Sequence, residues 1–294
     1  MLTVTEAFRK FKSNLELTLK EQDDASRRQR EIRAVMARSF KIERDFLSGS
    51  YKRWTKTKPL KDVDIFCVLH DDERKTYDDG KGPGPLLDKV EKVLADEYGK
   101  DRVHRQRRSV SVEFPVRADE ERVMSFDVVP AFTKSSHYEI PDERNPKGWT
   151  ETDPEVHADK ATAANQAFSG EWKGMVRMLK AWNRHTGCPV ESSFLLEVMA
   201  LELFRPPFDT DYPCEFMAFF ATAQRRIHQT WPDPAGLGPP VNDSMDAVAS
   251  AKAEAAFRDA QYTVREAINL GEQGRNGEAL RVYKRLFGDY FPLS

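Results

Sequence analysis

The run Ile65-Phe-Cys-Val-Leu69 constrains this chain more than any other stretch. Five consecutive apolar residues suit a strand buried on both faces and are too few for a helix. Asp62-Val-Asp64 leads directly into it. Side chains two apart on a strand share a face, so Asp62 and Asp64 point the same way at the mouth of that strand. Two neighbouring carboxylates repel each other unless a cation sits between them, and hard oxygen donors of this kind suit Mg²⁺. Just upstream, Gly49 and Ser50 predict a tight turn whose backbone N–H groups and hydroxyl match the needs of a phosphate.

Residues 125–131, Ser-Phe-Asp-Val-Val-Pro-Ala, predict a second short apolar strand in which Asp127 is the one charge. A charge in such a run is costly unless it is paired or coordinates a metal. A Gly-Ser turn, an Asp-x-Asp strand and a lone Asp on a later strand resemble the nucleotidyltransferase superfamily that includes the DNA polymerase beta-like enzymes. The fuller wording, Gly-Ser-Tyr-x-Arg-x-Thr, Asp-Val-Asp and Asp-Val-Val-Pro-Ala, is similar to the bacterial cGAS/DncV-like nucleotidyltransferases (CD-NTases). The resemblance implies an α+β fold: a polymerase beta-like nucleotidyltransferase sheet lobe packed on a C-terminal helical lobe, with a long N-terminal helix. It divides the chain into residues 1–150, the catalytic lobe, and 151–294, the helical lobe closing the nucleotide cleft.

Composition bounds the rest. The chain has 294 residues, 39% hydrophobic and 32% charged, with a net charge of −2. That is enough for one large domain or two lobes, and it gives no overall cationic field for nucleic acid. No stable nucleic-acid binding is expected. Apolar runs are too short for a membrane helix, and the N-terminus lacks the form of a signal peptide. Cys67, Cys188 and Cys214 form neither a disulfide framework nor a zinc knuckle, which fits a reducing cytoplasm, a bacterial one by the family resemblance.

Residues 3–45 predict helix with a break near 22–24, capped by Asp23 or Asp24. Ile32, Val35, Met36 and Phe40 form its buried stripe, and Arg27, Arg28, Arg30 and Arg33 its solvated face. Residues 70–85 predict an exposed loop, 86–98 a helix, 110–116 a half-buried strand and 118–122 a turn. The two strands that carry the acids join this hairpin in one mixed sheet, with all three acids at one edge. The basic cluster at 102–108 reads as a solvated rim, with a role facing nucleotide or partner as the alternative. Residues 132–170 read as polar and loop-rich, with Trp149 packing or lining the cleft.

Beyond residue 170 the pattern is helical. In residues 171–183, Trp172, Met175, Met178, Leu179 and Trp182 share one side, and Lys173, Arg177, Lys180 and Arg184 gather opposite. Ser192 or Ser193 predicts the N-cap of the next helix, a geometry that also suits an anion. Helices follow at 215–230, from 244 to about 271, and at 279–287, with a Pro- and Gly-rich loop at 231–243. By the family resemblance, Lys180 touches the triphosphate, Ser193 meets it too, and Phe194 stacks on a base where a Tyr often stands.

The resemblance implies two-metal phosphoryl transfer. Asp62, Asp64 and Asp127 hold two Mg²⁺ or Mn²⁺ ions, and Gly49, Ser50, Lys180, Ser193 and Phe194 bind the nucleotide. The implied product is a cyclic di- or trinucleotide second messenger, made without a template from NTPs that include a purine, in CBASS anti-phage defence. ATP and GTP are the expected substrates. The implied partners are a downstream effector reached through the product and a regulatory protein. Two other readings are a catalytically silent nucleotide-binding module and a polymerase beta-like transferase acting on RNA or protein. Three intact carboxylates argue against the first and the near-neutral charge against RNA.

Overall fold

The computed structural model describes residues 2–77, 82–116, 120 and 123–294. The fold is α+β and resolves into two units. One comprises Met1–Glu16, Asp159–Pro234 and Pro239–Ser294; the other comprises Leu17–Ala158 and Ala235–Gly238. The division therefore falls elsewhere than 150/151, and the first sixteen residues belong to the helical unit.

The reason lies in two capping boxes. Thr3 and Glu6 cap α1 (Val4–Asn14), and Thr18 and Glu21 cap α2 (Leu19–Met36). In each box the Thr hydroxyl and the Glu carboxylate satisfy orphan N–H groups reciprocally. The N-terminal helix thus breaks at residues 15–18, earlier than 22–24, and neither Asp23 nor Asp24 is the cap. The helix also stops at Met36, because residues 42–47 are a strand, β1 (Ile42–Leu47).

The sheet unit continues with α3 (Gly49–Lys52), β2 (Asp62–Leu69), α4 (Asp71–Tyr77) and α5 (Gly84–Tyr98). Then come β3 (Val103–Arg105), β4 (Val110–Glu113), β5 (Ser125–Lys134), β6 (His137–Pro141) and β7 (Trp149–Thr152). The strands form one mixed sheet in the order β1-β2-β5-β4-β3, and β6 pairs with β5 and with β7. β2 and β5 are parallel; every other pairing is antiparallel. The 70–85 loop contains α4, and the segment after 132 carries two strands and α6 (Pro154–Ala167). The turn expected at 118–122 lies, except for Glu120, outside the described residues.

Period-two alternation sorts the two faces of the sheet. Val63, Ile65, Cys67 and Leu69 of β2 join Phe126, Val128 and Phe132 of β5 in a core with Ala25, Ile32, Val35 and Met36 of α2 and Leu87, Val90 and Leu94 of α5. Phe66 and Val68 point the other way and pack with Val129, Ala131, Tyr138 and Ile140. Arg28 is not solvated: it is buried beside Asp24, with its guanidinium 3.8 Å from the Phe114 ring centre.

In the helical unit, α7 (Trp172–His185), α8 (Ser193–Leu203), α9 (Tyr212–Arg226), α10 (Ala247–Glu272) and α11 (Asn276–Phe287) share one core with α1. Trp182 packs on Phe220 and Phe257, while Phe8 meets Tyr212, Tyr283 and Phe287. Gly277 lies within α11 rather than breaking the chain before it. The three cysteines are free. Among the described residues, no helix is long and apolar enough to cross a membrane.

Candidate active site

Three carboxylates share the face of the sheet that α2 and α5 leave uncovered. The alternation that sends Val63 and Ile65 into the helix-covered core sends Asp62 and Asp64 to the opposite face. On β5 it does the same for Asp127, between Phe126 and Val128. Asp64 stands directly opposite Asp127 in the parallel register, and Asp62 opposite Ser125. Adjacent strands are separated by about 4.8 Å, so the acids of the two strands are neighbours. They lie on interior strands, at the end of the sheet where β2 begins, rather than on an edge strand.

Their charges act on one another. The Asp127 carboxyl is pushed up to about 6, first by burial and then by the charge of Asp64, with Asp62 adding to it. A hydrogen bond from Ser111, its cross-strand partner on β4, and the Lys56 ammonium pull the other way. Gln106 Nε2 donates to Asp127 Oδ1 at 3.2 Å, and Gln106 Oε1 accepts from Ser109 Oγ at 2.9 Å. Lys56 Nζ lies 2.6 Å from Asp62 Oδ2. No sequence motif marked Lys56, Gln106 or Ser111. Only Ser111 left a trace, as the polar residue between Val110 and Val112 on a predicted strand.

The Gly49-Ser50 turn is built against Asp64. Gly49 adopts φ +59°, and a Cβ there would fall 1.7 Å from Asp64 Oδ2. Only glycine admits both that backbone and that approach. The Ser48 N–H donates to the Asp64 carbonyl at 2.9 Å, while the Ser50 carbonyl accepts from the N–H groups of Thr55 and Lys56. The turn and the acid strand are thereby one rigid piece.

Among the described residues, no group of three or more His, Cys, Asp or Glu is gathered into a ready-made metal cage. Asp62 turns to Lys56, and Asp127 to Gln106 and Ser111. The donor set nonetheless fits Mg²⁺ or Mn²⁺. It is all carboxylate oxygen, and of the causes that raise Asp127, burial first and then the repulsion from Asp64 and Asp62, the repulsion is what a divalent cation relieves.

The basic cluster resolves into ion pairs. Arg107 and Arg108 both grip Asp142, which is 1% exposed, and Arg105 pairs with Asp88 and Glu143. These three arginines are neither a free rim nor an open anion site; they stiffen the β3–β4 turn that carries Gln106, whereas Arg102 is exposed. Trp149 packs on Phe132, so the packing alternative holds for it.

In the helical unit, the cationic side of α7 is not its wet face. Arg177 and Lys180 are buried. Arg177 Nη2 reaches Glu16 Oε1 at 2.8 Å, and Lys180 Nζ reaches the buried Glu197 at 2.7 Å. Ser192 is the N-cap of α8 but makes no side-chain capping bond; Ser193 is the first residue of the helix. Phe194 packs partly buried against the helical core.

Residues 2–165 match the profile of the Second Messenger Oligonucleotide or Dinucleotide Synthetase domain. The chain is 28% identical to a probable cyclic nucleotide synthase of Bacillus cereus, over 83% of this chain and 81% of that protein. It is 26% identical to a cyclic AMP-AMP-AMP synthase of an Acinetobacter species, over 85% and 73%. CdnC of Escherichia coli MS115-1, solved with ATP, superposes with a TM-score of 0.70 at 19% identity, covering 99% of each chain. CdnC solved in a complex with HORMA-deltaN superposes at 0.68, also at 19% identity, covering 97% and 96%.

Proposed function

The chain belongs to the Second Messenger Oligonucleotide or Dinucleotide Synthetase family, as a nucleotidyltransferase of the CD-NTase kind, and from that premise we propose that it condenses NTPs into a cyclic di- or trinucleotide without a template. One observation carries the reading: Asp64 and Asp127 stand opposite each other on parallel strands, with Asp62 on the same face, and burial together with their charges raises Asp127. A cluster of acids aimed at an anionic substrate weakens binding unless cations accompany it.

Asp62, Asp64 and Asp127 would hold two Mg²⁺ or Mn²⁺ ions. Two such ions, when bound, activate the acceptor hydroxyl and neutralise the departing pyrophosphate. The chain's own residues supply position. The Gly49-Ser50 turn offers N–H groups and a hydroxyl to the triphosphate, and the tie from Ser48 to Asp64 keeps those donors in fixed relation to the acids. Gln106 and Ser111 hold the Asp127 carboxylate by its oxygens until it is engaged. Lys180, Ser193 and Phe194 enter the reading on the motif alone, as contacts to phosphate and base. The names of the relatives favour ATP among the substrates, with GTP as a further candidate. The cyclic product would act on a downstream effector in anti-phage signalling. A regulatory protein partner fits the HORMA complex formed by CdnC.

The test is incubation with four labelled NTPs and Mg²⁺ or Mn²⁺, with phosphatase-resistant products identified by mass spectrometry. A cyclic oligonucleotide that disappears with Asp64→Ala is the expected result. Exclusively linear products, or undiminished synthesis by Asp64→Ala, would refute the proposal.

A further inference from the structure

Antiparallel neighbours inherit their register from a short turn, whereas parallel strands do not. β2 ends at Leu69 and its parallel partner β5 begins at Ser125. No hairpin aligns them, yet their alignment places Asp64 opposite Asp127. A slip of one residue would turn Asp127 to the other face of the sheet.

Two buried carboxylates of α2 meet the strands at the point where alignment is set. Glu21 Oε1 accepts the Leu60 N–H at 2.9 Å, and Asp24 Oδ2 accepts the Val123 N–H at 2.9 Å. Leu60 and Val123 each lie two residues before the first aligned pair, Asp62 and Ser125, so they are equivalent positions of the ladder extended backwards. Met124 and Ser125 then donate to the Leu60 and Lys61 carbonyls at 3.2 and 2.8 Å. The spacing matches as well. Residues three apart on a helix are separated by about 4.5 Å along its axis, close to the 4.8 Å between strands.

Neither carboxylate has slack. The second oxygen of Glu21 holds the Thr18 N–H and hydroxyl at 2.8 and 3.2 Å, closing the capping box. Asp24 takes Arg28 Nε at 2.8 Å and also pairs with Arg27. Glu21 is 2% exposed and Asp24 8%. We propose that Glu21 and Asp24 are positioning residues: a register clamp, applied from the helix-covered face, that sets Asp64 opposite Asp127 on the other face, with Asp62 two residues earlier on the same side. Its catalytic meaning rests on the function proposed above.

The test compares Glu21→Ala and Asp24→Ala with three references. Glu21→Gln keeps an oxygen for Leu60. Thr18→Ala loses the cap and keeps the strand contact. Leu94→Ala, in α5, lowers stability from the same core. Hydrogen exchange, Mn²⁺ titration followed by electron paramagnetic resonance, and kcat with KM for ATP are measured on each. The two clamp variants are expected to lose about tenfold in protection at Leu60, Val123, Met124 and Ser125. Mn²⁺ affinity falls by a similar factor, and kcat drops while KM stays within about twofold. Glu21→Gln, Thr18→Ala and Leu94→Ala keep wild-type Mn²⁺ affinity. Should Glu21→Ala fail to fold, Glu21→Asp, too short to span both cap and strand, replaces it with the same expectations. Clamp variants that lose only melting temperature, as Leu94→Ala does, overturn the proposal. A wild-type protein that neither binds Mn²⁺ nor makes product defeats the proposed function instead, and the exchange data then decide the clamp.

Discussion

Replacing Gly49 by alanine puts the turn and the acids to one test. Two costs follow from the structure. At φ +59° an L-residue is strained by about 1–2 kcal/mol. The new methyl would also lie 1.7 Å from Asp64 Oδ2, so the carboxylate must retreat by roughly 2 Å to reach an ordinary contact. The first cost is thermodynamic and small, a fall in melting temperature of about 3–6 °C. The second displaces a reacting group, and a misplacement of about 1 Å already costs on the order of 100-fold in rate. The expected variant is therefore folded and nearly inactive. Circular dichroism melts give the first quantity, and cyclic product formation from ATP and GTP gives the second. Turnover within threefold of wild type would show that Asp64 is not required where the turn holds it, and the site as drawn would fall.

Asp127→Asn is expected to abolish turnover with nucleotide binding largely retained, measured by product formation and ATP titration. The same variant tests linkage. Because the folded-state carboxyl is raised, the folded protein holds a proton that the unfolded chain has released between about pH 4 and 6. In EDTA the wild type should therefore lose stability as pH rises through that window, by on the order of 2 kcal/mol, and stay lower above it. Asn at 127 should flatten that slope in melts from pH 4 to 8. Protons compete with cations for Asp127, so Mn²⁺ affinity should weaken as pH falls below about 6. Lys180→Ala takes the cation from buried Glu197 and should cost about 3–5 kcal/mol by urea titration, most of it recovered by pairing Lys180→Met with Glu197→Gln. An unchanged KM for ATP in that recovered variant removes Lys180 from the phosphate site. Asp142→Asn should destabilise by about 3 kcal/mol in the same titration, because Arg107 and Arg108 lose their shared buried anion.

The sequence by itself determined the strand at Asp62–Leu69, the second strand around Asp127, and the shared face of Asp62 and Asp64. These follow from local rules, since a short apolar run and a period of two need no distant partner. It also determined the amphipathic apolar side of α7, from Trp172 to Trp182. The N-terminal break was written there too, in the two Thr-x-x-Glu boxes at residues 3–6 and 18–21, although the Asp pair at 23–24 is the louder signal. Tertiary structure alone decided what depends on neighbours distant in sequence. Asp24 became a buried anchor for Val123, 99 residues away, and Arg28 left solvent to join it. Arg107 and Arg108 were claimed by Asp142, and Lys180 by Glu197. Charge is visible in a sequence, but whether a charge meets water or a counter-ion is settled only when the chain is packed, because burial is tolerated only where a partner is already in place.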